Sequence, residues 1–416
     1  MINHDVPAGP LNACQITGST DLFEIIDLGH QPLCDSLPAS RDEPETTYPL
    51  RLMMCPSSGL AQLSYVVPGD VVYHPGYPYR SGISAPLRDY QRAFAAGVVE
   101  ELGLRPGSLV VDIGSNDGTL LQGFVGCGME VVGVEPTDIA KIAVMENSIN
   151  THQITFNARM AGILRAIYRP ASLITATNVF AHMADLGEVM RGIDALLAPD
   201  GVFITESHYL LDVLEKNQFD TVYHEHIRTY SLKSLCVLFE QYGMEVFDVR
   251  RAERYGGNIR AYVCRRGTRA VSDRVNGLLR LEQDSGLFTP RAWAAWRKRV
   301  NVQRTRMQDF LDLCAYYGQT VAGKSCPGRA STLINYFGIT RDQVPYLAEL
   351  PDSLKLGRYL PGAHIPIVDE SRLFDEQPDY LVLFSWHYAD AIMARMRERG
   401  YRGKFVMPLP EFRVVG

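Results

Sequence analysis

Ser108 to Val125 reads SLVVDIGSNDGTLLQGFV. A short apolar run that stops at a glycine has the pattern of a buried strand. The spacing of Leu120, Leu121 and Phe124 beyond it belongs to a helix. EVVGVEP, from Glu130, supplies the next buried-type strand. ASLITATNVF (Ala171 to Phe180) and GVFITES (Gly201 to Ser207) supply two more, separated by the helical pattern LGEVMRGIDALLAP. Strands alternating with helices predict a parallel, doubly wound sheet. Farther on, LKSLCVLFEQYG reads as an amphipathic helix closed by Gly243. MEVFDVRRAE and NIRAYVCRRG then follow as two strands in near succession, which suits an antiparallel pair at the sheet edge.

The turn after the first strand carries the sharpest chemistry. Asp112 stands at the strand end, Gly114 and Ser115 bring the backbone close to a ligand, and Asn116 occupies a position where a left-handed backbone is tolerable. Glu135 ends the following strand, where a carboxylate can accept hydrogen bonds from ribose hydroxyls. A dinucleotide loop places its third glycine three residues after the second, to seat a pyrophosphate on the helix N-terminus. Here the spacing is Gly114-x-Asn116-x-Gly118, with Asp117 at the helix start. An acidic residue there suits the cationic methionyl part of S-adenosylmethionine better than a pyrophosphate. The turn therefore predicts a nucleoside pocket for that cofactor.

Composition narrows the function classes. With 416 residues, 46% hydrophobic and 21% charged, the chain is long enough for two or three domains and has the balance of a soluble enzyme. A net charge of -6 supplies no basic field for a nucleic acid. Neither a secretory leader nor an apolar run of about 20 residues is present, so a cytoplasmic protein is expected. Eight cysteines scattered through so long a chain point to buried thiols or a metal site rather than a disulfide framework. GQTVAGKS (Gly318 to Ser325) matches a phosphate-binding loop letter for letter, but its context is wrong. The helical MQDFLDLCAYY precedes it, strand-like residues lie inside it, and Pro327 and Gly328 interrupt the helix start. The expectation is a strand over Gln319 to Gly323, a polar turn, and a helix over RASTLINYFG that opens a second α/β unit.

A cysteine knuckle, then YPY, IGSNDG, NVFAH, YHEH and LPGAHIPI, in that order, resembles the sugar C-methyltransferases of deoxysugar biosynthesis over nearly the whole chain. The resemblance implies a class I methyltransferase sheet with an antiparallel edge between a small zinc-ribbon-like domain (1-75) and a C-terminal α/β substrate domain (269-416). The methyltransferase domain would span 76-268. It implies methylation of a carbon of a nucleotide-linked keto-deoxysugar at the expense of S-adenosylmethionine. Two departures stand out. Where two C-x-x-C pairs are expected, the chain has CQIT and CPSS, leaving Cys14 and Cys55 with Thr17 and Ser58. Neutral hydroxyls are poor replacements for thiolates in a closed tetrahedral site, so a metal-free domain is predicted, with Cys34 or His30 as the residues that would complete a rearranged site. The turn AGKSCPGRAS also lacks the glycine-rich form expected of the sugar enzymes.

FDTVYHEHIRTYS, from Phe219 to Ser231, is the remaining cluster. His224 and His226 are two apart, whereas zinc-protease histidines sit four apart on a helix. Tyr223 and His226 are three apart, which in a helical turn puts them on one face, and their ordinary pKa values of about 10 and 6.5 suit proton transfer. By resemblance, His226 is the base, Tyr223 hydrogen-bonds the developing oxyanion or exchanges a proton, and Glu225 orients an imidazole. Tyr79 and His182 line the substrate pocket, Asn178 contacts the cofactor, and Gly256 and Gly257 give the substrate a close approach or form a hairpin turn. Two other functions fit the same pocket: an O-methyltransferase acting on a sugar or other hydroxylated metabolite, and a binding protein without catalysis.

Overall fold

The computed structural model describes residues 4–73, 80–82 and 85–416. A seven-stranded sheet forms its centre, in the order Met244–Ala252, Asn258–Arg265, Leu197–His208, Ala171–Thr177, Leu109–Ile113, Glu130–Val134, Thr151–His152. The last five are parallel, and the first two run antiparallel to their neighbours, as the close spacing of those two segments predicts. All five residues of Leu109–Ile113 are buried. Helices cover both faces, so a central parallel strand has no solvent side and alternation gives way to a continuous apolar run. Helices Ala85–Leu102 and Thr119–Gly126 pack together on one face; Ala158–Ile167 and Leu186–Leu196 pack together elsewhere against the sheet.

Leu109–Ile113 lies between Glu130–Val134, which follows it in sequence, and Ala171–Thr177, which comes later. Chain progression reverses there, and the carboxyl ends of the strands splay into a crevice at that point. Leu197–His208 begins earlier and ends one residue later than GVFITES suggests. Its final residue, His208, faces Asn258 in the antiparallel register.

An N-terminal sheet contains Phe23–Pro32, Thr47–Cys55 and Leu60–Leu63, and Arg228–Thr229 joins it as a fourth strand. That strand begins two residues after His226, and the amide of Leu63 donates to the carbonyl of Ile227 at 2.9 Å. The N-terminal segment thereby anchors one end of the YHEH stretch.

The C-terminal sheet has the order Ile367–Asp369, Leu347–Glu349, Val321–Lys324, Tyr380–Leu383, Lys404–Met407, Arg413–Val415, parallel except for the last strand. Val321–Lys324 and helix Gly328–Phe337 realise the expected second α/β unit, with the strand shifted by one to two residues. Lys324 is a buried strand residue whose ammonium meets Glu370 at 3.1 Å and the carbonyl of Ala348 at 3.2 Å. It is committed to the core of this domain, as the rejection of a phosphate loop requires.

Candidate active site

The glycine turn takes the backbone form its sequence predicts. Asn116 has φ 52°, and Gly114 and Gly118 have φ 69° and 77°. A Cβ at Gly114 would fall 2.5 Å from a methyl of Val179, so glycine is required there for space as well as for conformation. Glu135 accepts the amide of Asn116 at 3.0 Å on one oxygen, and the amide and hydroxyl of Thr137 at 2.9 and 2.7 Å on the other. Burial raises its pKa against the pull of those donors. Asp112 is buried under the turn, accepts the hydroxyl of Thr175 at 2.6 Å, and is pushed up to about 7 by burial.

Asp117 behaves differently from its expected role toward the methionyl cation. Its carboxylate accepts from Ser81 Oγ (2.9 Å), the amide of Gly82 (2.9 Å) and Thr119 Oγ1 (2.7 Å), which fastens the 80–82 segment over the turn. Ser115 points its hydroxyl at the strand beside it, since a Cβ on Gly133 would lie 2.5 Å from Ser115 Oγ. Asn178 also has a left-handed backbone, φ 57°, at the end of Ala171–Thr177. Its amide oxygen accepts from Asn258 at 3.1 Å, while its buried Nδ2 has no hydrogen-bond partner among the described residues. A turn with a glycine at each end, two buried carboxylates and an orphaned amide at the switch point fit a nucleoside with a cationic amino-acid tail.

The YHEH stretch forms a turn closed by the amide of His226 donating to the carbonyl of Tyr223 at 2.9 Å. The pairing expected from their spacing is present: the two rings lie 3.9 Å apart, centroid to centroid, inclined at 38°. His226 Nδ1 donates to the carbonyl of Thr221 at 2.6 Å. A carbonyl only accepts, so Nδ1 carries the proton and Nε2 presents a bare lone pair. Thr221, not Glu225, therefore orients the imidazole. Burial pushes His226 down to about 4, well below the ordinary value expected from sequence, so the ring is neutral at pH 7. Tyr223 is raised well above the usual phenol range, by burial first and then by Glu225 and Cys34, and keeps its proton.

His224 projects away, donating from Nε2 to the carbonyl of Tyr48 at 3.3 Å with its ring edge-on to that tyrosine. Glu225 accepts the thiol of Cys34 at 3.5 Å. His182 joins the pocket with its ring 4.9 Å from that of His226 and stacked on Tyr73 at 6.2 Å. Tyr79 lies outside the described residues. Gly256 and Gly257 take φ 91° and 139°, and a Cβ on them would strike Gln218 and Asp212 at 2.8 and 2.3 Å. They serve the hairpin between Met244–Ala252 and Asn258–Arg265, the other of their two expected roles.

Four residues of the pocket escaped the sequence reading. His208 sits 4.8 Å, ring to ring, from His226. Arg329 in helix Gly328–Phe337 forks onto Asp220 at 2.8 and 2.7 Å and donates to the carbonyl of Tyr255 at 2.9 Å. Trp386 donates to the same Asp220 carboxylate at 2.8 Å, with His387 beside it, held neutral by burial and by Arg329. His208 was legible in principle, as a histidine directly following GVFITES.

The two knuckles do converge. Cys14 Sγ lies 3.2 Å from Ser58 Oγ, and Thr17 Oγ1 lies 3.7 Å from Cys55 Sγ. The hydrogen bond Cys14 shares with Cys55, together with burial, keeps the Cys14 thiol protonated far above its usual range. Neither Cys34 nor His30 completes the set: among the described residues, the metal-spaced group of histidine, cysteine and carboxylate atoms is Cys34, Asp35 and Glu225. Lys355 already fills the cation role there, 2.7 Å from Asp35. The same bond between Cys14 and Cys55 pulls Cys55 down to about 4, so the two sulfurs share one proton. With two neutral hydroxyls they supply half of the thiolate set of a closed zinc centre.

Comparison with known proteins matches three segments of the chain, and the description of the first stands against the metal-free reading of the N-terminal sheet. Residues 14–73 match the family described as "Putative zinc binding domain", 87–249 "Methyltransferase domain", and 253–410 "C-methyltransferase C-terminal domain". C-methyltransferase NovU of Streptomyces niveus is 32% identical over 410 residues, covering 98% of this chain and 97% of its own. Among solved structures, a SAM-dependent methyltransferase from Anabaena variabilis (15% identity, 43% of this chain and 86% of that one, TM-score 0.35) overlaps this chain in part. So does magnesium protoporphyrin IX methyltransferase from Synechocystis with bound SAH (14%, 43% and 83%, TM-score 0.34). On the full-length relative and the matched segments, the chain belongs to the S-adenosylmethionine-dependent C-methyltransferase family.

Proposed function

We propose that this enzyme methylates a carbon next to the ketone of a nucleotide-linked deoxysugar, through an enolate, in the cytoplasm. The observation that carries the reading is the imidazole of His226: one nitrogen is committed to the carbonyl of Thr221 and the other is bare, against the protonated phenol of Tyr223. A carbon beside a ketone becomes a nucleophile only when a proton leaves it, so a base and an oxyanion donor are the minimum equipment. His226 Nε2 takes the proton. Tyr223 donates its hydroxyl to the developing oxyanion. His182, stacked on Tyr73, walls the pocket and keeps water from the base.

Glu135, Asp112 and Asn178, with the backbone of Gly114 to Gly118, hold S-adenosylmethionine. When bound, that cofactor supplies a methyl group already activated by its sulfonium for in-line displacement. We also infer that the N-terminal sheet works without zinc, because the knot of Cys14, Thr17, Cys55 and Ser58 is closed by its own hydrogen bonds. A cytoplasmic setting accords with eight cysteines free of disulfides. No helix among the described residues is long and apolar enough to cross a membrane.

The test uses S-adenosylmethionine labelled with ¹³C in its methyl group and a nucleoside-diphosphate-linked keto-deoxyhexose. A methyl carbon bonded to carbon in the product spectrum supports the reading. A methyl ether would establish O-methylation and sink it.

A further inference from the structure

Enolisation needs two groups at once, a base for the proton and a donor for the oxygen that gains charge. Tyr223 lies against the base with its ring inclined at 38°. Of the two pocket histidines whose buried Nδ1 has no partner among the described residues, His208 and His387, His208 is the one with its ring against the base. His208 ends the strand Leu197–His208, the element locked in six-residue antiparallel register with Asn258–Arg265, so its backbone is fixed by the sheet rather than by a loop. Its ring lies 4.8 Å from that of His226 at 60° and 6.2 Å from Tyr255. Its Nδ1 is buried and has no hydrogen-bond partner among the described residues. A buried imidazole nitrogen left unsatisfied is costly unless a ligand completes it.

His182, the other histidine beside the base, spends its face on Tyr73 at 12° between planes, so the two flanking rings are not equivalent. Burial, followed by the fields of His226, Arg329, His182 and His387, holds His208 uncharged. An uncharged imidazole is a suitable electrophile for a carbonyl, because its N–H donates without surrendering the proton.

Resting on the enolate reading above, we propose that His208 is a second catalytic residue, whose ring N–H holds the acceptor's ketone oxygen while His226 removes the neighbouring proton. The electrons balance without an oxidant. The C–H pair becomes the C=C bond, the proton goes to His226 Nε2, and the carbonyl π pair moves onto the oxygen held by His208. When the enolate carbon attacks the sulfonium methyl, the S–CH3 pair returns to sulfur and the C=O bond reforms. The role also sets specificity, since a hydroxyl acceptor gains nothing from a donor placed for a carbonyl.

The experiment compares wild type, His208→Ala and His208→Asn. An asparagine amide nitrogen lies near the place of Nδ1 and keeps an N–H. Each protein is incubated in D2O with a nucleoside-diphosphate-linked keto-deoxyhexose and S-adenosylhomocysteine, without methyl donor. Deuterium uptake is read by mass spectrometry, and S-adenosylhomocysteine affinity by calorimetry. His208→Ala is expected to exchange about 100- to 1000-fold more slowly than wild type with unchanged affinity, and His208→Asn to recover at least about tenfold of that loss. Wild-type exchange in His208→Ala, no recovery in His208→Asn, or loss of affinity in step with exchange would overturn the role of His208 and leave the enolate reading standing. Absence of exchange in the wild type, alongside methyl transfer from S-adenosylmethionine, would overturn both.

Discussion

Arg329 grips Asp220 with two parallel N–H···O bonds of 2.8 and 2.7 Å, and both side chains are buried. Asp220 immediately precedes Thr221, whose carbonyl fixes the tautomer of His226. The C-terminal domain thus holds the short 3₁₀ turn Phe219–Thr221 from which the base is oriented. Thr332 adds a hydrogen bond to the carbonyl of Val222 at 3.1 Å.

Removing the arginine should be costly on both counts. Arg329→Met leaves a carboxylate buried with Trp386 and no cation, and loss of about 3–5 kcal/mol in urea unfolding is expected. Arg329→Lys should recover little, because an ammonium cannot reproduce the planar fork. Asp220→Asn combined with Arg329→Met should be more stable than Arg329→Met alone; equal stability of the two would show that the buried charge is not what suffers.

His226→Asn should retain cofactor affinity and lose about a hundredfold or more in turnover. Tyr223→Phe should lose less, since His208 shares the oxyanion. His224→Ala should be mild, because that ring faces Tyr48 on the far side of the turn. Single-turnover methyl transfer checks all three, and a severe defect confined to His224→Ala would mean that the wrong histidine has been chosen.

The backbone form of the glycine turn was legible because its signals are local. Asp112, Gly114, Asn116 and Glu135 are tied to strand ends, and strand ends are set by apolar runs that can be counted. The substrate half depends on pairing between distant segments. Nothing in YHEH announces that Thr221 would orient His226, or that Arg329, more than a hundred residues later, would brace Asp220. His208 was missed by a one-residue error in the end of a strand. For Gly256 and Gly257 two roles stayed open in the sequence, because a tight hairpin and a close ligand approach demand the same residue type.

Acid should weaken the fold through its buried histidines. His226 and His224 are both held near 4, against about 6.5 for a free imidazole, with burial as the main cause. Between those values the unfolded chain binds protons that the folded chain refuses, so stability rises with pH across the window and is lost as pH falls from about 6.5 toward 4. Chemical denaturation from pH 7 to 4.5 should show a decline on the order of several kcal/mol, reduced in His224→Gln. Turnover limited by protonation of His226 should fall off near pH 4 rather than near 6.5, and an acid limb at 6.5 would contradict the depressed value.

The N-terminal knot predicts that purified protein carries substoichiometric zinc by elemental analysis and that a chelator leaves its thermal midpoint unchanged. One tightly held zinc per chain, released with unfolding, would direct attention back to Cys14 and Cys55 as ligands.

Glu135→Ala should weaken S-adenosylhomocysteine binding about tenfold or more by calorimetry, because the carboxylate braces Asn116 from the end of the strand beside the switch point. Unaltered affinity in Glu135→Ala and Asp112→Ala together would defeat this placement of the cofactor.

The central claim is that His226 makes a carbanion equivalent before any methyl moves. The direct measurement is deuterium uptake from D2O into a nucleoside-diphosphate-linked keto-deoxyhexose, with S-adenosylhomocysteine in place of the methyl donor, by wild type and by His226→Asn. The account predicts incorporation beside the ketone with wild type, slowed about a hundredfold or more in the variant. Equal incorporation by the two proteins would contradict it.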